Sequence, residues 1–169
     1  ETRHRTLATK NGKLGHAADS DSQGIGIRVV VQGAWGFASS DDLGGEAVIA
    51  TARRAVAIAQ ASAPVRQADW SLAPEPVHQA VWVAPCAVDP FSVSLEESLA
   101  LLEQVDKELR SVPGVTLAEA QMSFQRQHQL FLSSEGSRIE QTRVLSGAGY
   151  AALAFANGDI QKRSYPNSF

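Results

Sequence analysis

The sequence contains a single cysteine, no long hydrophobic run and no excess of basic residues. Cys86 is the only thiol among the 169 residues, so the chain cannot form an internal disulfide, and a reducing compartment is the simplest interpretation. The longest nearly apolar stretch, residues 147–155, is too short to span a bilayer, so we expect no membrane partner. The 15 basic and 18 acidic residues give a net charge of −3, which argues against a nucleic-acid partner.

The sequence also lacks the motifs of the common catalytic and metal sites. Its four histidines are far apart in sequence: His4, His16, His78 and His128. None has a second ligand at the spacing of a helical zinc site, and no His-Glu-x-x-His occurs. Cys86 has no Cys-x-x-Cys companion, and we interpret it as a small buried residue rather than a nucleophile. We therefore expect no metal ligand and no catalytic residue in this sequence.

The overall composition is that of a globular chain of about one domain. Hydrophobic residues make up 44% and charged residues 20%, with 13 glycines and 7 prolines, which excludes the collagen-like, coiled-coil and disordered classes. The sequence begins at Glu1 and stops at Phe169 without a polar tail, so we expect a piece of a longer protein. We predict a single α+β domain over residues 1–169, truncated at both ends.

Two helices are predicted from apolar periodicity. Over residues 46–60, apolar residues recur at helical spacing, and the many alanines predict a helix that packs closely on its neighbour. A second helix begins at Ser94, where Ser94 and Glu97 have the spacing of a capping box, and it ends at Pro113-Gly114. Its predicted core side carries Leu95, Leu99, Leu102, Val105 and Leu109.

Strands are predicted before, between and after these helices. Asn11-Gly12 is the signature of a hairpin turn, and Asn157-Gly158 predicts a further turn. The alternation over 25–31 predicts a half-buried strand. Further strands are predicted at 77–84, 118–125, 130–133, 137–145, 149–155 and 160–165. The predicted fold class is α+β: a mainly antiparallel β-sheet, made of a hairpin plus a C-terminal meander, with two helices packed on one face.

Two segments have an unusual composition. The Gly-Ala-Trp-Gly-Phe-Ala block at 33–38 sets two aromatic residues on one short strand, as either a ligand platform or part of the core. We predict that Trp35 and Phe37 lie in the core, since aromatic residues bury the most area per residue. The Arg-Ser-Tyr-Pro-Asn-Ser segment at 163–168 is either an ordinary strand exit or a loop that meets a part of the protein outside this sequence.

The order of several motifs resembles one known family. Gly-Ile-Gly-Ile-Arg-Val at 24–29, the glycine-aromatic block with Ser-Ser-Asp-Asp-Leu at 39–43, and Arg-Ala-Val at 54–56 are similar to the N-terminal domain of the TldD/PmbA family. Ser-Glu-Gly at 134–136 and the closing segment at 163–168 agree with this resemblance. It covers nearly all of the chain, and the family is that of the "modulator of DNA gyrase" metallopeptidases.

The resemblance implies a two-domain cytoplasmic protein that cleaves unfolded peptides, as a homodimer or with a homologous partner subunit. In TldD-like members a His-Glu-x-x-x-His helix and a later cysteine hold zinc in a C-terminal region, and no residue of this sequence maps onto those ligands. The resemblance thus implies an N-terminal domain without a cofactor of its own, which contributes substrate channel and subunit contacts to a zinc enzyme. We take Arg163, Tyr165 and Asn167 as its candidate substrate-binding residues.

Two other functions stay open. PmbA-like members lack the metal motif, so the alternative is a non-catalytic PmbA-like partner or binding module. The glycine-aromatic block and the Tyr-Pro-Asn ending at 165–167 favour the TldD-like side. The family's name also suggests direct action on gyrase or DNA. The net charge of −3 counts against DNA, and no feature of the sequence supports action on gyrase.

Overall fold

A computed structural model describes residues 1–166, which contain eight strands and two helices. The strands are β1 (Thr2–Lys10), β2 (Lys13–Ser22), β3 (Ile25–Val31), β4 (Ala34–Ser40), β5 (Gln79–Val83), β6 (Val115–Leu132), β7 (Arg138–Ala156) and β8 (Asp159–Tyr165). The helices are α1 (Gly45–Ser62) and α2 (Leu95–Ser111), and a 3-10 turn covers Ala63–Val65. The chain divides into two compact units. The first contains residues 1, 22–79 and 132–138, and the second contains residues 2–21, 80–131 and the described residues from 139 onward.

The first unit is built on the β3–β4 hairpin, which packs against α1. The two strands pair antiparallel along their whole length and turn at Gln32-Gly33, where φ is 51° and 71°. Four alanines of the strand and the helix are buried: Ala34, Ala38, Ala55 and Ala59. Because these side chains are short, the helix lies close to the strand, as the alanine content of this segment predicts.

The prediction that Trp35 and Phe37 belong to the core is wrong. These side chains are 38% and 52% exposed, whereas Gly36 between them is buried. A Cβ on Gly36 would lie 2.1 Å from the carbonyl oxygen of Ala55, so the backbone of β4 is in contact with the helix. A gap this narrow admits only small residues. Since side chains alternate along a strand, the two aromatic residues occupy the opposite face.

The second unit is built on a six-stranded sheet in the order β2-β1-β6-β7-β5, in which β8 also pairs with β7. Strands β1 and β6 pair antiparallel, with Lys10 opposite Glu119 at one end. Helix α2 contacts β1. The core cluster consists of Leu7, Leu102 and Ala120, with Leu99, Val105 and Met122 packed against it.

The fold class predicted from the sequence, α+β with a mainly antiparallel sheet, is confirmed, and β6, β7 and β8 form the predicted meander. The helices differ in one respect from the expectation that both cover one face. Helix α1 contacts β3 and β4, whereas α2 contacts β1. The reason is that β3 and β4 form a two-stranded sheet of their own. Neither helix has the length and apolar character that crossing a membrane requires.

Strands β6 and β7 are longer than predicted, with 18 and 19 residues. Each joins two segments that the sequence pattern separates, at 126–129 in β6 and at 146–148 in β7. The polar run in β6 continues the strand because its backbone still pairs with β1 as far as Gln127. Strand β7 has neighbours on both sides. Backbone pairing on both edges satisfies the N–H and C=O groups of this strand whatever its side chains are, so the strand continues without an alternating apolar pattern.

The local predictions for the turns and for the start of α2 are confirmed. The turns at Asn11-Gly12 and Asn157-Gly158 have positive φ at both residues, as a type I′ turn requires. The Ser94 hydroxyl accepts a hydrogen bond from the Glu97 N–H, and the Ser94 N–H donates to the Glu97 carboxylate, both at 3.1 Å. This N–H also lowers the pKa of Glu97 below its usual value.

The predicted core side of α2 is only partly correct. Leu102 is buried as predicted, but Leu95 is exposed, and the other buried positions are Ser98 and Asp106. These three residues follow an i,i+4,i+8 row, which marks the line along which the helix contacts its neighbours. Two of these three buried residues are polar. The periodicity of apolar residues therefore does not identify the line of α2 that is most deeply buried.

Candidate functional site

A cavity of about 360 Å³ lies within the second unit and is lined by residues of five strands: β1, β2, β6, β7 and β8. Glycine and alanine provide the space, at Ala8, Gly15, Ala120, Gly149 and Ala151. The polar part of the lining consists of Thr9, Lys10, Glu119, Gln121, Tyr150, Lys162 and Ser164. The size and the few convergent polar groups are typical of a site for a small ligand or for one part of a longer one.

Lys162 gives this cavity a positive charge that has no carboxylate partner among the described residues. The other lysine of the lining, Lys10, lies opposite Glu119 in the β1–β6 ladder, and their side chains form an ion pair at 3.0 Å. Within residues 1–166, no carboxylate pairs with the Lys162 ammonium group. An ammonium group without a counter-ion attracts a ligand carboxylate or phosphate more strongly than one that is already paired. The cavity therefore favours an anionic ligand group.

Two buried polar atoms of the second unit have no hydrogen-bond partner among the described residues. One is Oγ1 of Thr9, a lining residue that is 2% exposed, and the other is Oδ2 of Asp106. The second carboxylate oxygen of Asp106 accepts a hydrogen bond from Arg110 at 2.6 Å. A buried hydroxyl without a partner destabilises the protein by about 1–3 kcal/mol, and a cost of this kind is often retained at functional sites.

The predicted substrate-binding residues lie next to the cavity lining in sequence. From β8 the lining takes Lys162 and Ser164, whereas Arg163 and Tyr165 alternate with them and do not line it. Tyr165 is exposed and lies opposite Tyr150, with ring centroids 6.0 Å apart. Among the described residues, Arg163 hydrogen-bonds within its own strand, to Gln161 and to the Lys162 carbonyl. Asn167 is outside the described residues, so a role for these three in substrate binding stays a prediction.

A cluster of charged residues surrounds the ring of Phe91 in the second unit. The guanidinium groups of Arg3, Arg5 and Arg126 lie 5.0, 5.3 and 4.9 Å from the ring centroid. Arg3 and Arg126 are direct cross-strand neighbours, an arrangement that repels unless carboxylates lie nearby. Asp19 accepts hydrogen bonds from Arg3 and Arg5, and the Asp89 carboxylate accepts one from Arg126. We interpret this cluster as structural, because its charges are paired with one another.

The arginines of this cluster change the acidity of Asp19. Hydrogen bonds first from Arg3 and then from Arg5 lower the pKa of the Asp19 carboxyl from 3.8 to about 2. The same carboxylate raises the pKa of Arg3 further above its usual value. Asp19 is therefore ionised at any physiological pH, and its role is to hold two arginine side chains in place.

The histidines and the cysteine do not form a metal site in the part of the chain that is described. No group of three or more His, Cys, Asp or Glu residues is placed to hold a metal ion within residues 1–166. His4, His16 and His128 bond instead to Ser123, Thr6 and Glu140, each at 3.0 Å. The prediction that Cys86 is buried is wrong, because this residue is exposed on the loop before α2 and its thiol donates to the Val88 carbonyl.

Solved structures share the fold of this chain. A candidate modulator of a DNA gyrase from Thermotoga maritima MSB8 matches with a TM-score of 0.72 at 15% identity, over 96% of this chain and 36% of that one. A candidate modulator of DNA gyrase from Bacteroides thetaiotaomicron VPI-5482 matches with a TM-score of 0.72 at 11% identity, over 96% and 38%. TldE from Thermococcus kodakarensis gives 0.64 at 13% identity, over 96% and 37%. At these identities the likeness shows the fold alone, and the chain spans little more than a third of each relative.

Two family models match the sequence in consecutive order. The model described as PmbA/TldA metallopeptidase domain 1 matches residues 1–59, and the model described as PmbA/TldA metallopeptidase central domain matches residues 88–168. The two matches cover most of the chain, and the protein belongs to the PmbA/TldD metallopeptidase family, as the motifs predict. No curated protein sequence matches the chain at a significant level.

Sequence reasoning missed the cavity and the charged cluster. Lys162 is the immediate neighbour of Arg163 in β8, and because successive side chains of a strand point to opposite faces, only one of the two can line the cavity. The charged cluster has no comparable signal, since Arg3 and Arg126 become neighbours only through the register of β1 and β6.

Proposed function

We propose that this chain forms the first and central domains of a TldD-like zinc metallopeptidase that acts on unfolded peptides in the cytoplasm. The observation that carries the proposal is the consecutive match of two domain models of one metallopeptidase family. The role of the chain in this proposal is to form part of the substrate channel and to contact a homologous subunit. The cavity and the strand edges of the second unit support it.

Free strand edges in the second unit support the proposed substrate channel, and two of these edge strands, β2 and β8, also line the cavity. Strand β2 ends one side of the six-stranded sheet, and β5 and β8 pair only with β7 among the described strands. An extended peptide pairs with such an edge through backbone hydrogen bonds, which require little of its side chains. Lys162 would attract a carboxylate of the peptide. Together these features suit a substrate that is unfolded and varied in sequence.

The subunit contact is supported by the apolar surface of β5. All five residues of this strand are exposed, and three of them are large and apolar: Val81, Trp82 and Val83. An exposed apolar edge strand favours association with another chain unless it is covered. A homologous subunit, in a homodimer or a heterodimer, is the partner that we propose for this strand.

The zinc of this proposal is not held by the described residues. They provide no set of three donors, so they do not fit a catalytic zinc, and we derive no chemical step through the metal. The proposal assigns the zinc ligands to a part of the protein outside this sequence. The alternative function, a non-catalytic PmbA-like partner, requires no such ligands.

The test is a peptidase assay of the full-length protein, loaded with zinc and then stripped with a chelator, on unstructured fluorogenic peptides. We expect cleavage that disappears with the chelator and returns with zinc. If the zinc-loaded protein cleaves no peptide alone, and cleavage appears only with a homologous subunit that binds the zinc, the alternative function is correct. No cleavage in either case would contradict both functions. Elemental analysis of the 169-residue chain should find no stoichiometric metal, and one tightly bound zinc would contradict the assignment of its ligands elsewhere.

The role of the cavity is tested by variants of Lys162 in the same assay. Lys162→Met should raise KM for peptides with acidic groups about tenfold and leave kcat unchanged, because one ion pair of the complex is lost. Lys162→Arg should behave nearly as the parent. Lys107→Met removes an exposed lysine of α2 and is the matched control. Equal KM values for Lys162→Met and Lys107→Met would show that the cavity is not part of the channel.

A further inference from the structure

The face of the β3–β4 hairpin that is not packed on α1 carries two large aromatic side chains. Trp35 and Phe37 are two residues apart on β4, so their side chains project from the same face about 7 Å apart. They are 38% and 52% exposed. Large aromatic groups that stay exposed side by side are typical of binding surfaces, because the same area would stabilise the fold more if it were buried.

A positive charge lies beside these two rings. Arg28 of β3 is directly opposite Phe37 in the ladder, and its guanidinium group lies 5.8 Å from the centroid of the Trp35 ring. Within residues 1–166, no carboxylate pairs with Arg28. The Trp35 ring therefore positions the Arg28 guanidinium group, which remains available for an ion pair with a negatively charged ligand.

Glycines open this face on the side of β3. Gly24 and Gly26 line a hollow of about 610 Å³ next to Phe37, and a second hollow of about 330 Å³ lies between Arg28, Trp35 and Phe37. A Cβ on Gly26 would lie 3.0 Å from the Phe37 ring. Alanine at Gly26 would force the ring to shift by a few tenths of an ångström, and a larger side chain would extend into the hollow. The glycine thus keeps the ring in place and preserves the depression beside it.

The backbone of the hairpin is also open to pairing. Among the described residues β3 and β4 form a sheet of two strands, so each has one outer edge without a strand partner. The hairpin is held on its other face by α1, which makes it a rigid template rather than a flexible ribbon. Ser39, Ser40 and Asp41 also line the larger hollow, so an acidic group fits at the Arg28 end of the face and not at the Asp41 end. A rigid open edge beside aromatic rings is the combination by which sheets bind extended peptides.

We propose that this face, defined by Gly26, Arg28, Trp35 and Phe37, is a docking site for an extended peptide segment with an acidic side chain next to apolar ones. Side chains at positions i and i+2 of an extended peptide are about 7 Å apart, which matches the spacing of the two rings. The acidic side chain pairs with Arg28. This site lies wholly within the first unit and does not depend on the peptidase activity of the proposed function.

The test is the binding of a fluorescein-labelled heptapeptide, Glu-Thr-Leu-Thr-Leu-Thr-Glu, to the full chain by fluorescence anisotropy. This sequence reads the same in both directions, so the order of its side chains along the site is the same for either strand direction. Arg28→Gln should weaken binding about tenfold, and Trp35→Ala should weaken it to a similar degree, as for central residues of an interface. Replacing both Glu residues of the peptide by Lys should abolish binding to the parent protein.

Two matched variants and a charge reversal make the test specific. Arg54→Gln changes an exposed arginine of α1, and Phe155→Ala changes an exposed aromatic residue of β7, and neither should affect binding. Arg28→Glu should reverse the charge preference of the site, so that the peptide with Lys binds and the peptide with Glu does not. Circular dichroism checks that each variant is folded. Failure of the parent to bind the Glu peptide, or equal affinities of Arg28→Gln and Arg54→Gln, would overturn the proposal even if the protein is an active peptidase.

Discussion

The carbonyl oxygen of Ala55 in α1 occupies the space that a Cβ on Gly36 of β4 would need, at 2.1 Å. The backbone nitrogen of Ala59 would lie 2.6 Å from the same Cβ. Both obstacles are backbone atoms of a helix, which cannot move without displacing the whole element. The contact between the alanine-rich helix and the glycine of the strand thus fixes how close α1 and the hairpin lie, and it decides which face of β4 is buried.

Gly36→Ala should destabilise the first unit strongly. The added methyl group has to push the helix away from the strand, which costs about 3 kcal/mol or more. The measurement is chemical denaturation combined with hydrogen exchange of residues 22–79. Gly45→Ala is the matched control, because nothing lies within 4 Å of a Cβ there and alanine favours the first turn of the helix. If both variants unfold at the same denaturant concentration, the close contact is not as described.

Asp19→Asn should lower the stability of the second unit at neutral pH and have less effect in acid. The folded-state pKa of about 2 is below the usual value of 3.8, so the ionised carboxylate stabilises the fold above about pH 4. This stabilisation is lost as the pH falls through 2. We expect a cost of about 1–2 kcal/mol at pH 7, since the pair is partly screened by water while Arg5 is nearly buried.

The measurement for Asp19 is the unfolding free energy of the parent and the variant between pH 2 and pH 7. Asp21→Asn is the control, because Asp21 lies on the same strand and acts on Arg3 only through its charge. The difference between parent and Asp19→Asn should narrow towards pH 2. A difference that is constant over this range would mean that the carboxylate is not held at a low pKa.

Ser94→Ala should destabilise the second unit by about 1 kcal/mol. The Ser94 hydroxyl accepts the hydrogen bond of the Glu97 N–H, and its removal leaves that donor at the start of α2 without a partner. Urea denaturation of the two proteins measures the effect. Ser111→Ala at the other end of the helix is a suitable control, since its hydroxyl donates to a carbonyl and caps no N–H. An unchanged midpoint for Ser94→Ala would show that the helix does not depend on this cap.

Thr9→Val should stabilise the protein by about 1 kcal/mol, whereas Thr51→Val should destabilise it. Both threonines are buried, at 2% and 7% exposure. The Thr9 hydroxyl has no partner within residues 1–166, so valine removes an unsatisfied polar atom and keeps the shape. The Thr51 hydroxyl donates to the Ala47 carbonyl at 2.8 Å, and valine loses that hydrogen bond. Thermal unfolding measures both, and a destabilised Thr9→Val would mean that the hydroxyl is hydrogen-bonded in solution.

Much of the local structure could be predicted because its causes lie within a few residues. The Asn11-Gly12 and Asn157-Gly158 turns follow from residues that tolerate positive φ, and the start of α2 follows from the spacing of Ser94 and Glu97. Apolar and polar residues alternate over 118–125, and Ala118 and Ala120 of the apolar set are buried. The family could be predicted for the same reason, since its motifs are short and contiguous.

The cavity could not be predicted, because its lining comes from five strands that the sequence does not place side by side. In β8 the sequence predicts a role for Arg163, whereas its neighbour Lys162 lines the cavity. The direction of a side chain in a strand depends on the register with its neighbour, and that register is set by pairing across the sheet.

The sequence by itself determined the turns, the capped helix, the class of fold and the family, since each rests on the conformational preferences of neighbouring residues. Only the tertiary structure decided which face of the β4 strand is buried. One face of this strand carries small residues and the other carries Trp35 and Phe37. Because aromatic side chains have the larger apolar area, hydrophobicity alone favours burial of the aromatic face. The small residues are buried instead, because the alanine-rich α1 approaches to a distance at which Gly36 fits and Trp35 does not. That choice leaves the two aromatic side chains exposed beside Arg28, where they are available to a ligand.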